Sequence, residues 1–195
     1  MSDALIRVRP TIVVSGLPRS GTSLMMQLLE RAGVPILCDD DRPPDASNPR
    51  GYFEFAPVKA TLRDASWVEL AEGRAVKVIH ALLRGLPEDR AYRVLLMRRP
   101  IDEVVRSQDA MLVRLDESPT PIAHERLAQL LEEQLEQARQ WLESHDCFEW
   151  LEIDYTRLIR RPESEIPRIA AFLETELPLE PLLECIDPNL YRNRA

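Results

Sequence analysis

Thr11-Ile-Val-Val-Ser-Gly-Leu-Pro-Arg-Ser-Gly-Thr-Ser-Leu-Met-Met-Gln-Leu-Leu-Glu-Arg-Ala-Gly33 is the stretch that decides the fold. Thr11 to Ser15 is short, β-branched and continuously apolar in its middle, which predicts a strand buried on both faces. Gly16-Leu-Pro-Arg-Ser-Gly21 follows as a loop. From Ser23 to Ala32 the apolar residues Leu24, Met25, Leu28 and Leu29 fall at helical spacing, and Gly33 stops the helix. The unit is strand, glycine-rich loop, helix.

Working outward, Asp39 to Arg50 is rich in Asp, Pro and Asn and reads as a loop. Gly51-Tyr-Phe-Glu-Phe55 leads into a predicted helix from Pro57 to Leu70. Ala75 to Ile79 and Arg93 to Met97 are further buried strands. Pro100 then opens a helix from Ile101 to Leu115, carried by Ile101, Val104, Val105 and Leu112. After a polar break, Asp116 to Pro121, an amphipathic helix runs from Ile122 to Ser144. Its stripe is Leu127, Leu130, Leu131, Leu135, Ala138 and Leu142. Phe148 to Ile153 reads as another strand and Glu163 to Leu173 as another helix, and the proline-broken tail runs from Leu177 to Ala195. Strands alternating with helices predict an α/β fold, a three-layer sandwich with a mostly parallel sheet of about four to five strands flanked by helices. The whole of 1–195 reads as one domain.

Composition removes several classes of function. A net charge of −8 argues against a general nucleic-acid binder, so an anionic ligand must be held by a local cluster of cations. Cys38, Cys147 and Cys185 stand far apart with no C-x-x-C pair, which suggests neither a zinc site nor a disulfide framework. No apolar run approaches membrane-spanning length, and Met1 to Pro10 lacks the apolar core of a signal peptide. The expectation is a cytoplasmic protein with reduced thiols. The stripe of the long helix serves either the core or a second subunit, so a homodimer is possible.

Gly16-Leu-Pro-Arg-Ser-Gly-Thr-Ser23 has the G-x4-G spacing of a P-loop. Glycines let successive N–H groups turn toward one anion, and the following helix adds the positive end of its dipole. Thr22 and Ser23 offer hydroxyls and Arg19 a fixed cation. The lysine that a nucleoside-triphosphate P-loop carries after its second glycine is replaced here by Thr22, and no acidic metal-holding partner is evident, so no metal is expected. The bland reading is a Gly/Pro/Ser turn with a capping hydroxyl.

At these residues the chain resembles the 3′-phosphoadenosine-5′-phosphosulfate (PAPS)-dependent sulfotransferases. Their P-loop variant P-[KR]-[SG]-G-T-[ST] is matched at every position by Pro18, Arg19, Ser20, Gly21, Thr22 and Ser23. Arg19 in place of Lys is similar to the tyrosylprotein and bacterial branches. A second signature is an Arg at a strand end followed by a Ser on the next helix, which in the family hold the 3′-phosphate. It is resembled by Leu95-Leu-Met-Arg-Arg-Pro-Ile-Asp-Glu-Val-Val-Arg-Ser107. Arg99 has the family's separation from Ser107, whereas Arg98 has its offset from Pro100, so either arginine fits. Leu151 to Leu158 with Ile169 to Leu173 looks like a late, mostly structural family pattern. Arg192, in Tyr191-Arg-Asn-Arg194, is either a further cation for the 3′-phosphate or part of a disordered tail.

The resemblance implies sulfuryl transfer from PAPS to a hydroxyl or amine, with Arg19 among the groups that stabilise the leaving oxygen. Two residues are candidates for the base. His80 ends a strand, and Lys77-Val-Ile-His80 resembles the Lys-Thr-His of the cytosolic branch. Glu54 lies where the tyrosylprotein branch places a catalytic Glu, with Arg50 nearby as an acceptor or cofactor contact. Each has a plain structural reading beside it. Two other functions stay open: a P-loop kinase or NTPase, and a nucleotide-binding module without turnover.

Overall fold

The computed structural model describes residues 9–39, 48, 51–114 and 122–186. Five parallel strands form one sheet: β1 (Thr11–Gly16), β2 (Ile36–Leu37), β3 (Ala75–Lys77), β4 (Tyr92–Arg98) and β5 (Phe148–Asp154), in the order β2-β3-β1-β4-β5. The helices are α1 (Thr22–Arg31), α2 (Ile101–Arg114), α3 (His124–Glu143), α4 (Tyr155–Arg160), α5 (Pro162–Leu173) and α6 (Leu179–Leu183).

Side-chain alternation sorts the core into layers. Ile12 and Val14 of β1, with Leu95 and Met97 of β4, pack on Met25, Leu28 and Leu29 of α1 and Ile166, Ile169 and Leu173 of α5. Val13, Val94 and Leu96 face the other way, onto Leu135, Ala138 and Leu142 of α3. A smaller cluster joins Leu17 to Val104 and Val105 of α2 and to Leu127 and Leu131 of α3. Leu127, Leu131, Leu135, Ala138 and Leu142 of the α3 stripe are therefore buried within the chain, and Leu130 is half-buried.

Strand order positions the site. The chain leaves β1 toward β3 on one side and enters β4 on the other, so the sheet switches direction between β1 and β4. In open α/β sheets ligands bind at the carboxyl ends of strands at such a point. Gly16 is paired in register with Met97, which starts the loop after β1 and the arginines ending β4 at the same level.

One predicted element is corrected. Pro57 to Leu70 is two 3₁₀ segments, Ala56–Ala60 and Ser66–Ala71. Between them the Asp64 carboxylate accepts from Ser66 N–H at 2.9 Å, and Thr61 donates its hydroxyl to the Val58 carbonyl while accepting from Trp67 Nε1 at 3.1 Å. These local bonds compete with helical ones. The segments β2, α4 and α6 are additions to the sequence reading.

Candidate active site

The loop between β1 and α1 is built by backbone geometry that few residues tolerate. Gly16 has φ +144°, and a Cβ there would sit 2.6 Å from the Met97 carbonyl oxygen. Gly21, at φ +102°, would drive a Cβ to 2.3 Å from the Tyr155 ring. Arg19 takes φ +69° without being glycine. Gly21 is the N-cap of α1, and no side chain caps that helix. The positive end of α1 is thus open to an anion. The Ser20 hydroxyl lies 99% buried beneath the loop with no hydrogen-bond partner. A buried orphan hydroxyl is costly and calls for an acceptor. Open amides, an unpartnered hydroxyl and Arg19 together fit a phosphate or phosphosulfate group.

The residues expected around this loop are brought together unequally. Thr22 and Ser23 open α1, and Pro18 is exposed on the outer edge of the loop. Ser107 is buried on α2 and accepts from Arg19 Nε at 3.1 Å. Arg99 is buried against the loop, with Nη1 donating to the Arg19 carbonyl at 3.2 Å and its guanidinium 5.0 Å over the Tyr155 ring. Arg98 turns away, half exposed, toward Glu152 at 3.5 Å. It lines a cleft with Arg139 to which Arg99 also contributes. Arg98 is the last residue of β4 and Arg99 the first beyond it, and their guanidinium groups find different partners. Arg192 lies outside the described residues.

In sequence, Lys77 stands out only by the resemblance of Lys77-Val-Ile-His80 to Lys-Thr-His. In the fold its Nζ donates to the Tyr52 carbonyl at 2.6 Å and stands 3.3 Å from Ser23 Oγ. Asn48 Nδ2 donates to the same hydroxyl at 2.9 Å and to the Gly51 carbonyl at 2.6 Å. The loop lacks a lysine in sequence, but β3 supplies one in space. No local pattern reveals it, because the pairing of β1 with β3 creates it: Val14 is opposite Lys77.

The two base candidates differ in setting. His80 opens a 3₁₀ turn after β3 and is 8% exposed. Its Nδ1 lies 3.3 Å from the Gly16 carbonyl and its Nε2 3.1 Å from Oε1 of Gln134. A carbonyl only accepts, so Nδ1 donates in the bond to Gly16. Both ring nitrogens are engaged. Glu54 is partly exposed, and its Oε2 lies 3.8 Å from Lys59 Nζ. It follows Phe53, at φ +53°. Its main-chain carbonyl accepts from Asp39 N–H at 2.8 Å.

Fold and loop define an α/β protein with an anion cradle of the P-loop type at its topological switch point. The model of the sulfotransferase domain matches residues 9–190, and the chain belongs to that family, whose reaction is sulfuryl transfer. The sulfotransferase domain of the Synechococcus PCC 7002 olefin synthase is similar in structure, with a TM-score of 0.57 at 15% identity over 95% of this chain and 80% of that one. Retinol dehydratase in complex with retinol and PAP gives 0.53 at 18% identity over 95% of this chain and 67% of that one. A mouse sulfotransferase complexed with PAP gives 0.52 at 14% identity, over 91% and 62%. No curated protein matches the sequence.

Proposed function

We propose that the sulfuryl donor is PAPS, that its 5′-phosphosulfate lies in loop 16–23, and that Arg99 and Ser107 take its 3′-phosphate. The observation that carries this reading is Lys77. Its ammonium reaches Ser23 from a neighbouring strand and replaces the missing loop lysine without recreating the metal-bound triphosphate arrangement. That PAP is present in two structural neighbours supports the choice of nucleotide. When bound, PAPS supplies the sulfuryl group and, in adenosine 3′,5′-bisphosphate, the leaving group.

The chain's own residues do the rest. Arg19 and the loop amides stabilise negative charge on the departing oxygen, and Lys77 faces the sulfuryl end. Glu54 is the base. Its carboxylate is partly open to solvent, and it lies two residues beyond the carbonyl that Lys77 holds. His80 supports the cradle by tying Gly16 to α3 through Gln134. The acceptor is a hydroxyl or amine entering beside Glu54.

Isothermal calorimetry tests the reading. Adenosine 3′,5′-bisphosphate is expected to bind at least about tenfold more tightly than ATP, with no magnesium requirement. Tighter, magnesium-dependent ATP binding would contradict it and restore the kinase or NTPase alternative.

A further inference from the structure

Arg99, Glu103 and Ser107 follow one another at four-residue spacing and are buried to 7%, 3% and 3% exposure. Their shared face grips Arg19 at both ends. Arg99 Nη1 donates to its main-chain carbonyl at 3.2 Å, while Ser107 Oγ accepts from its Nε at 3.1 Å. Arg19 needs such a grip, because a non-glycine residue at φ +69° keeps that conformation only where its surroundings enforce it. Arg99 is itself fixed by Glu103, whose Oε2 accepts from its Nε at 2.9 Å. The same guanidinium rests on the Tyr155 ring, which also lies directly under Gly21.

A carboxylate buried beside an anion cradle opposes the anion electrostatically. Its benefit to the site must therefore come through geometry. We propose that Glu103 is a positioning residue for the nucleotide loop: its buried carboxylate orients the Arg99 guanidinium so that Nη1 holds the Arg19 carbonyl and, through it, the left-handed turn of the cradle. The effect on nucleotide affinity rests on the sulfonucleotide reading above. The effect on the loop does not.

The test is amide hydrogen exchange on the ligand-free full chain, paired with calorimetry of adenosine 3′,5′-bisphosphate. Glu103→Ala is expected to speed exchange of the amides of residues 17–22 by about tenfold, to leave β4 and β5 unchanged, and to weaken bisphosphate binding by about tenfold. Glu103→Gln keeps an acceptor oxygen toward Arg99 and is expected to stay within about threefold of the parent in both readouts. Unchanged loop exchange in Glu103→Ala overturns the proposal. So does a uniform rise across the sheet, or tighter bisphosphate binding once the charge is gone. If Glu103→Ala does not fold, Glu103→Asp, one methylene shorter, is read by the same criteria. Failure of the parent protein to bind bisphosphate sinks the sulfonucleotide reading and leaves the exchange result to decide the role of Glu103.

Discussion

At the residue scale the site is a set of cations delivered by different strands onto one loop. Arg19 comes with the loop, Lys77 from β3 and Arg99 from the end of β4. Lys77→Met is expected to leave adenosine 3′,5′-bisphosphate affinity within about threefold of the parent while weakening a non-transferable PAPS analogue by about tenfold or more, because the lost charge faces the sulfuryl end. Calorimetry with both ligands checks this, and equal losses for both would move Lys77 to the phosphate. His80 and Glu54 separate in stability. His80→Ala removes a buried ring with two hydrogen-bonding partners and is expected to cost about 2 kcal/mol in urea unfolding. Glu54→Gln, at a partly exposed carboxylate, is expected to change stability by less than about 0.5 kcal/mol while abolishing turnover. Gly21→Ala meets both a left-handed backbone and the Tyr155 ring, and is expected to cost about 2 kcal/mol or more and to remove nucleotide binding.

At the element scale, legibility followed periodicity. Three of the strands, β1, β4 and β5, came out within about two residues of the sequence reading as short, largely apolar runs, and so did α1, α2, α3 and α5, because each helix buries a face of helical period. The predicted strand from Ala75 to Ile79 ends at Lys77, since Val78 N–H still bonds the Val14 carbonyl but the chain then turns into the 3₁₀ segment at His80. Two-residue β2 has no pattern to read. The helix expected after Pro57 was lost to local side-chain bonds at Thr61 and Asp64, which composition does not announce. Within the site the loop was legible as a motif, whereas the choice between Arg98 and Arg99 needed the register of β4 on β1. The reach of Lys77 to Ser23 needed the pairing of β3 with β1. Packing of α3 gives a further prediction. Leu142 is 1% exposed between that helix and the sheet, so Leu142→Ala is expected to lose about 2–5 kcal/mol of unfolding free energy, measured by urea titration.

At the scale of the whole molecule, a chain of net charge −8 gathers Arg19, Lys77 and Arg99 at one sheet crevice, and the proposed anion site rests on that local cluster. None of the described helices is long and apolar enough to cross a membrane. A core group away from the site contributes to the pH dependence of stability. Burial pushes the Tyr92 phenol far above its ordinary value, and the neighbouring Cys147 thiol adds to the shift. Tyr92 stacks on Phe148 with centroids 4.9 Å apart and donates to the Pro87 carbonyl at 2.8 Å. The unfolded phenol loses its proton near about pH 10 while the folded one keeps it, so the unfolded state binds fewer protons above that pH and stability falls as pH rises. Tyr92→Phe is expected to flatten this alkaline limb in urea midpoints collected against pH, at a cost of about 1 kcal/mol near neutrality for the lost hydrogen bond.

Loop 16–23 is proposed to cradle a sulfonucleotide with its second phosphate on α2. A crystal structure with adenosine 3′,5′-bisphosphate tests it most directly. The 5′-phosphate is expected over the Ser20 hydroxyl and the α1 amides, with the 3′-phosphate against Arg99 and Ser107. A bisphosphate lodged instead in the cleft of Arg98 and Arg139, with the loop left vacant, would contradict it.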